Sequence, residues 1–269
     1  MTAFVYHFTY EFKKGIRNPS LLLMNYLFPI GFYLFMGAIF TQIYPGFNLV
    51  IIPAMITLTI MTNTILGMPG PLVEAREEGI FRSYKINGIP AGSILSIPAI
   101  ATVIHALIAS LLVALTAGPL FKGVAPSQWG NLAVVALVTA FTYSGLGTLI
   151  GVVAANSRGT VLWSQLIFLP SMLISGMVMP LSTLPASVRP FSFLLPTSYS
   201  MQAFSGLAYQ QDTLINPWTA LMILGVTGLV AYVLAGYLFN WDSRNNARRG
   251  HPLLGLLVLV PMLTGMLIK

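Results

Sequence analysis

The sequence predicts an all-α, polytopic membrane protein, and three observations carry that reading. Of its 269 residues, 56% are hydrophobic and only 7% are charged, against ~25% charged in an ordinary soluble domain. The mean hydropathy is +0.83, more apolar character than a soluble chain of this length can hide. Six apolar stretches are close to or above the ~20 residues that a helix needs to cross a bilayer: Leu21 to Ile43, Phe47 to Val73, Ala91 to Gly118, Asn131 to Ala155, Val161 to Met179 and Trp218 to Asn240. A cytosolic enzyme is excluded, and so is disorder, which needs high charge and low hydrophobicity. The chain has no cysteine, so disulfides, iron–sulfur clusters and thiolate metal sites are ruled out. His7, His105 and His251 are far apart in sequence and suggest no metal cluster.

Ahead of the first apolar stretch, Phe4, Phe8, Phe12 and Ile16 recur every four residues, which is one face of a helix. Thr9, Lys13, Lys14 and Arg17 fall on other faces. The order is not that of a cleavable signal peptide. It predicts an amphipathic helix lying in the membrane interface. Asn18-Pro19 separates it from the first span, because proline disfavours helix in the residue before it.

Orientation follows from the basic residues, which collect in cytoplasmic loops. With the N-terminus inside and six spans, the inner side carries Lys13, Lys14, Arg17, Arg76, Arg82, Lys85, Arg158, Arg244, Arg248 and Arg249, and the outer side carries Lys122 and Arg189. The net charge of +7 is thereby read as topology, not as nucleic-acid binding. The expected location is the plasma (inner) membrane, multi-pass, with a cytoplasmic N-terminus.

Two connections are not simple loops. Glu74 to Pro90 contains Glu74, Arg76, Glu77, Glu78, Arg82 and Lys85, and reads as a short charged cytoplasmic helix that Asn87-Gly88 stops. Its carboxylates stand near the helix start and its cations near the end, which suits the dipole. Ile80, Phe81 and Tyr84 are its apolar residues expected to anchor a partner, Phe81 and Tyr84 foremost, and Gly79 is read as a helix-interior position for close approach. Pro180 to Pro217 is apolar but broken by Pro185, Pro190 and Pro196. A re-entrant hairpin fits, since irregular backbone at membrane depth must be buried in protein; an apolar loop lying flat on the outer surface is the alternative. Leu253 to Ile268 has 16 residues, or ~24 Å as an α-helix against a ~30 Å hydrocarbon core. It either spans by thinning the bilayer or lies in the interface.

No G-x-x-x-x-G-K-[ST] loop, H-E-x-x-H or G-x-S-x-G motif occurs. The six carboxylates, Glu11, Glu74, Glu77, Glu78, Asp212 and Asp242, all fall at or beyond predicted helix ends. His105 is the one ionisable residue near the middle of a span. An intramembrane histidine is a functional candidate, but a neutral imidazole can also satisfy itself on a backbone carbonyl or a neighbouring Ser or Thr. The remaining polar groups within spans are neutral. The densest cluster is Thr57-x-Thr59-x-x-Thr62-Asn63-Thr64, which sets Thr59, Thr62 and Asn63 on one helical face. Such groups glue helices together by hydrogen bonds, or line a substrate path together with His105.

Two segments resemble the membrane-spanning permease subunit of type-2 ABC exporters. One is Glu74-Ala-Arg-Glu-Glu-Gly-Ile-Phe-Arg-Ser-Tyr-Lys-Ile-Asn-Gly-Ile-Pro90, similar to the charged coupling helix of that family. The other is Ser175-Gly-Met-Val-Met-Pro180 followed by Leu184-Pro185, Arg189-Pro190 and Leu194-Leu-Pro196-x-x-Tyr199, which resembles the family's signature at the end of the fifth span and its external hairpin. The resemblance covers most of residues 1–250 and implies one transmembrane domain there, with residues 251–269 as an extra hydrophobic segment. It departs from the family at Met201-Gln-Ala-Phe-Ser-Gly206, where an arginine often follows the tyrosine, and in the C-terminal segment. It implies an exporter of a hydrophobic or amphiphilic compound (a drug, antibiotic, peptide or lipid), working with a separate ATP-binding subunit that holds the ATP and Mg, and with a second permease copy in a homodimer or heterodimer. This chain itself would have no catalytic residue, metal or cofactor. The resemblance assigns coupling to Glu74, Glu77, Glu78, Gly79, Phe81, Arg82 and Tyr84, and the hairpin to Gly176, Pro180, Pro185, Pro190, Pro196 and Tyr199. The competing classes are a secondary transporter or channel using His105, and a non-transporting membrane anchor.

Overall fold

The computed structural model describes residues 2–242 and 250–267; Arg244, Arg248 and Arg249 of the inner basic residues lie outside them. Among the described residues the chain is helical with no strand. The first helix, α1 (Thr2–Arg17), ends where Asn18 accepts hydrogen bonds from the amides of Ser20 (3.0 Å) and Leu21 (3.1 Å). Asn18 is thus the N-cap of the next helix, with Pro19 at its first position, where a missing N–H costs nothing. The expected break at Asn18-Pro19 is present.

Five helices are long and apolar enough to cross a membrane: α2 (Pro19–Ile43), α3 (Ile51–Glu77), α5 (Ala91–Phe121), α6 (Trp129–Val153) and α10 (Pro217–Leu238). They match five of the six expected stretches. The stretch expected over Val161 to Met179 forms α7 (Ser157–Ile174), of 18 residues. It starts earlier than expected, takes in Arg158, and stops at Ser175 because Gly176 is left-handed (φ +92°). It is therefore shorter and less apolar than the other five, and the sixth crossing is not established by length and composition.

Helix α3 is the centre of the bundle; from Ile51 to Ile65 every residue is buried. Close approach around it depends on small residues, as is usual between membrane helices. A Cβ at Gly147 of α6 would lie 2.1 Å from the Thr64 carbonyl of α3. Between α6 and α10 a Cβ at Gly145 would stand 2.9 Å from the Gly228 carbonyl, and one at Gly228 would stand 2.9 Å from the Thr142 Cα. Three π-helical turns, Leu23–Leu27, Thr62–Gly67 and Phe204–Ala208, interrupt the helices.

The charged connection differs from expectation in one respect that matters. Helix α3 runs on through Glu74 to Glu77, and the chain breaks at Gly79 (φ +78°) before a separate short helix, α4 (Ile80–Ile86). The amides of Glu78 and Gly79 bond back to the carbonyls of Glu74 (2.9 Å) and Arg76 (3.2 Å), a glycine-terminated helix end. Glu74 and Glu77 therefore stand in the last turn of α3, not the first turn of a coupling helix, and the favourable dipole argument does not apply to them. Gly79 is the corner between two helices.

Pro180–Pro217 holds a 3-10 turn (Leu181–Thr183), α8 (Arg189–Ser192) and α9 (Pro196–Ala203), the last buried from end to end. After Pro252–Leu259, a 3-10 helix, the C-terminal segment continues as α11 (Val260–Leu267). Eight 3-10 residues rise ~16 Å and eight α residues ~12 Å, slightly longer than an all-α reading allows.

Candidate functional site at the turn between the second and third spans

The turn is built outward from the end of α3. Arg76 is buried, and its guanidinium donates to the carbonyls of Val152 (2.8 Å) and Ala154 at the C-terminus of α6. Those carbonyls have no partner within their own helix, and a cation suits the negative end of the helix dipole. One residue on, the Glu77 carboxylate accepts from the Ser157 hydroxyl at the start of α7 (3.1 Å). Across the corner, Arg82 pairs with Asp242 beyond α10 (2.5 Å). Phe81 is 5% exposed and packs on Phe239, ring centroids 5.7 Å apart, while Phe239 in turn meets Trp241. The turn thus holds the ends of α3, α6, α7 and α10 at one end of the bundle.

The other side of the turn meets α1. Tyr84 lies edge-on to His7 (5.7 Å between rings), and His7 and Lys14 flank Glu11 at 3.9 and 3.7 Å. Burial pushes the Tyr84 phenol above its ordinary value, and the Glu11 carboxylate adds to the effect. A cavity of about 100 Å³ lies between α1, α3, α4 and α5, with Glu11, Lys14, Tyr84, Asn25 and His105 in its walls.

Of the residues expected to contact a partner, Phe81 is occupied inside the chain and Tyr84 is half-buried. Glu74, Glu77, Glu78 and Arg82 are exposed. The apolar groups that the turn does present are Ile80, 37% exposed, and above all Ile86, 79% exposed beside exposed Lys85. Sequence reasoning missed Ile86, and it missed the clamp role of Arg76. Ile86 was legible in principle, as an apolar residue adjoining the Asn87-Gly88 stop.

His105 is buried in α5 and fully bonded. Its Nε2 donates to the Phe12 carbonyl (3.1 Å), and its Nδ1 accepts from the Tyr26 hydroxyl (2.7 Å). The Phe12 ring stacks on it at 4.3 Å. Beside it, Asn25 donates to the Gly15 carbonyl (3.1 Å), and Gly15 is close enough that a Cβ would meet His105 Nε2 at 2.5 Å. His105 and Asn25 hold α1 against the bundle. The side of α1 that packs is His7, Glu11 and Gly15, while Phe4 and Ile16 of its apolar stripe are exposed (49% and 46%). Phe8 and Phe12 are half-buried, with Phe12 on His105, so only the two ends of the stripe stand free of the bundle.

Thr59, Thr62 and Asn63 come together, wholly buried in α3. Thr59 donates to the Met55 carbonyl (2.7 Å) and Thr62 to that of Thr59 (2.9 Å). Asn63 donates to the carbonyls of Thr59 (2.8 Å) and Asn25 (3.2 Å), joining two π-helical turns. Only Asn63 Oδ1 in this group lacks a hydrogen-bond partner among the described residues. His105 does not bond to them directly.

The hairpin residues are separated by role. Gly176 makes the turn out of α7. Pro180 and Pro185 head turns closed by the amides of Thr183 (3.0 Å) and Val188 (2.9 Å). Pro190 and Pro196 open α8 and α9. Phe191 is 60% exposed whereas Phe193 is 1% exposed. Tyr199 is buried, and its hydroxyl donates to the Met262 carbonyl of α11 (2.6 Å).

Comparison with known proteins meets this geometry. The family model described as "ABC-2 type transporter" matches residues 2–209, a span that includes α1, the turn, α7 and α9. A relative from Bacillus subtilis (strain 168), named "Putative transport permease YvfS", is 24% identical over 235 residues, covering 85% of this chain and 93% of its own. The chain therefore belongs to the ABC-2 type transporter family and is a membrane-spanning subunit of an ABC transporter.

Proposed function

We propose that this chain is the permease of an ATP-driven exporter that moves a hydrophobic or amphiphilic compound out of the cell. In this reading α7 is the sixth crossing, the N-terminus and the Gly79 corner are cytoplasmic, and α8 and α9 form an external re-entrant hairpin. A second permease copy completes the path, and a soluble subunit binds ATP and Mg. The observation that carries the proposal is the corner at Gly79. Helix α4 projects with Ile86 exposed, while its base is fixed by Arg76, Glu77 and Arg82 to α6, α7 and the end of α10. A push there reaches four helices at once. The family membership supports the same assignment, and the YvfS name adds transport. Use of His105 as a proton carrier is disfavoured, since both ring nitrogens are bonded.

The test is purification of the full chain in mild detergent with the P-loop ATPase that accompanies it. The ATPase should co-purify with the native permease, and Ile86→Asp should lose it with the permease's thermal midpoint unchanged. Equal recovery and equal substrate-stimulated hydrolysis with Ile86→Asp and Lys85→Glu would overturn the coupling role.

A further inference from the structure

A second cavity, of about 280 Å³, lies between α6, α7, the elbow before α9 and the C-terminal segment. Leu146 and Ile150 line it from α6, Trp163 and Leu166 from α7, and Leu256 and Met262 from the tail. Every lining residue is apolar. A smaller apolar cavity, of ~150 Å³, stays dry and accepts hydrocarbon, so water has no hold here. The walls do not collapse to fill it. The tail is pinned where Tyr199 donates to the Met262 carbonyl, and Gly265 abuts the Tyr199 ring.

The rim says what fills it. Leu166, Leu253 and Leu256 are 63%, 57% and 49% exposed, so the mouth opens on the lateral, apolar surface of the bundle. On α7, Arg158, Leu162 and Leu166 recur every four residues along one face, and Arg158 and Leu162 are also exposed. Arg158 lies ~12 Å along the helix from Leu166, at the end where the Gly79 corner gathers the helix termini. A hydrocarbon slot with a cation set off along its mouth matches one molecule type present around any such protein. We propose that the cavity holds one acyl chain of an anionic phospholipid, with the phosphate at Arg158. The C-terminal segment then serves as one wall of a lipid site.

The probe is phosphatidylglycerol with a photoactivatable diazirine on one acyl chain, added to the full-length protein in nanodiscs. Crosslinks should concentrate on Trp163, Leu166, Leu256 and Met262, and excess unlabelled phosphatidylglycerol should compete them away. Leu166→Trp and Leu256→Trp fill the slot from opposite walls. Each should abolish these crosslinks while leaving the chain folded, and if one variant fails to fold the other decides. Arg158→Gln should weaken competition by phosphatidylglycerol about fivefold and leave that by phosphatidylcholine unchanged. Crosslinks spread equally over Leu229 and Val233 of α10, or unaffected by both tryptophans, would overturn the proposal. So would crosslinking of Leu166 to a second copy of the chain with no lipid retained.

Discussion

At the scale of single residues, His105 is distinguished by how completely it is used. The bond to the Phe12 carbonyl requires the proton on Nε2, and in the neutral ring Nδ1 then accepts from Tyr26. His105→Gln keeps the ability to donate to Phe12, so transport and its pH profile should be retained. His105→Leu strands the Phe12 carbonyl and the Tyr26 hydroxyl and should cost about 1–3 kcal/mol, read as a lower unfolding midpoint in detergent. A loss of transport in a stable His105→Gln protein would contradict this. Phe81 and Ile86, five residues apart, should separate cleanly. Phe81→Ala removes packing against Phe239 and should destabilise by about 3–5 kcal/mol. Ile86→Ala should leave stability within about 0.5 kcal/mol and weaken only the association with the ATPase. Thermal unfolding and pull-down on the same two variants check both statements.

At the scale of elements, stability rests on close approaches and helix ends. Arg76→Lys keeps the charge but not the planar fork, so it should free the α6 terminus and cost about 1–3 kcal/mol. Gly147→Ala should cost a similar amount, because its Cβ would press on the Thr64 carbonyl, and backbone cannot swing aside. Both are checked by unfolding midpoints. Existence and order of the helices were legible, because a bilayer demands long apolar runs and little else resembles them. The end of α7 and the joint at Gly79 were not. Glu74 and Glu77 continue the α3 pattern without a break, and a glycine after acidic residues reads equally as interior or as corner until φ is known. Phe81 was misread for a related reason. An aromatic residue in a charged segment looks exposed, and its partner Phe239 lies far along the chain.

At the scale of the whole molecule, contacts place the ends of α3, α6, α7 and α10 together, with α1 beside them. At the opposite end the Val124 amide bonds to the Asn48 carbonyl (2.9 Å) and that of Gln128 to Ala208 (3.0 Å). With the proposed cytoplasmic N-terminus, cysteines at Lys85 and Arg158 should label from the cytoplasmic side and one at Lys122 from outside, on a background with no native cysteine. Labelling of Lys122→Cys only from the cytoplasm would invert the topology. The saturation of His105 sets a limit on energetics as well. Among the described residues Glu74, Glu77, Glu78, Asp212 and Asp242 stand in the last turn of a helix or beyond it, Glu11 lies within α1 between His7 and Lys14, and the one mid-span imidazole has both nitrogens hydrogen-bonded. No carboxylate among the described residues lies midway along a candidate span to tie substrate movement to the proton-motive force. On the proposed ATP-driven reading, the steady-state substrate gradient in sealed vesicles at fixed ATP should be indifferent to a protonophore, with its ceiling set by the phosphorylation potential alone.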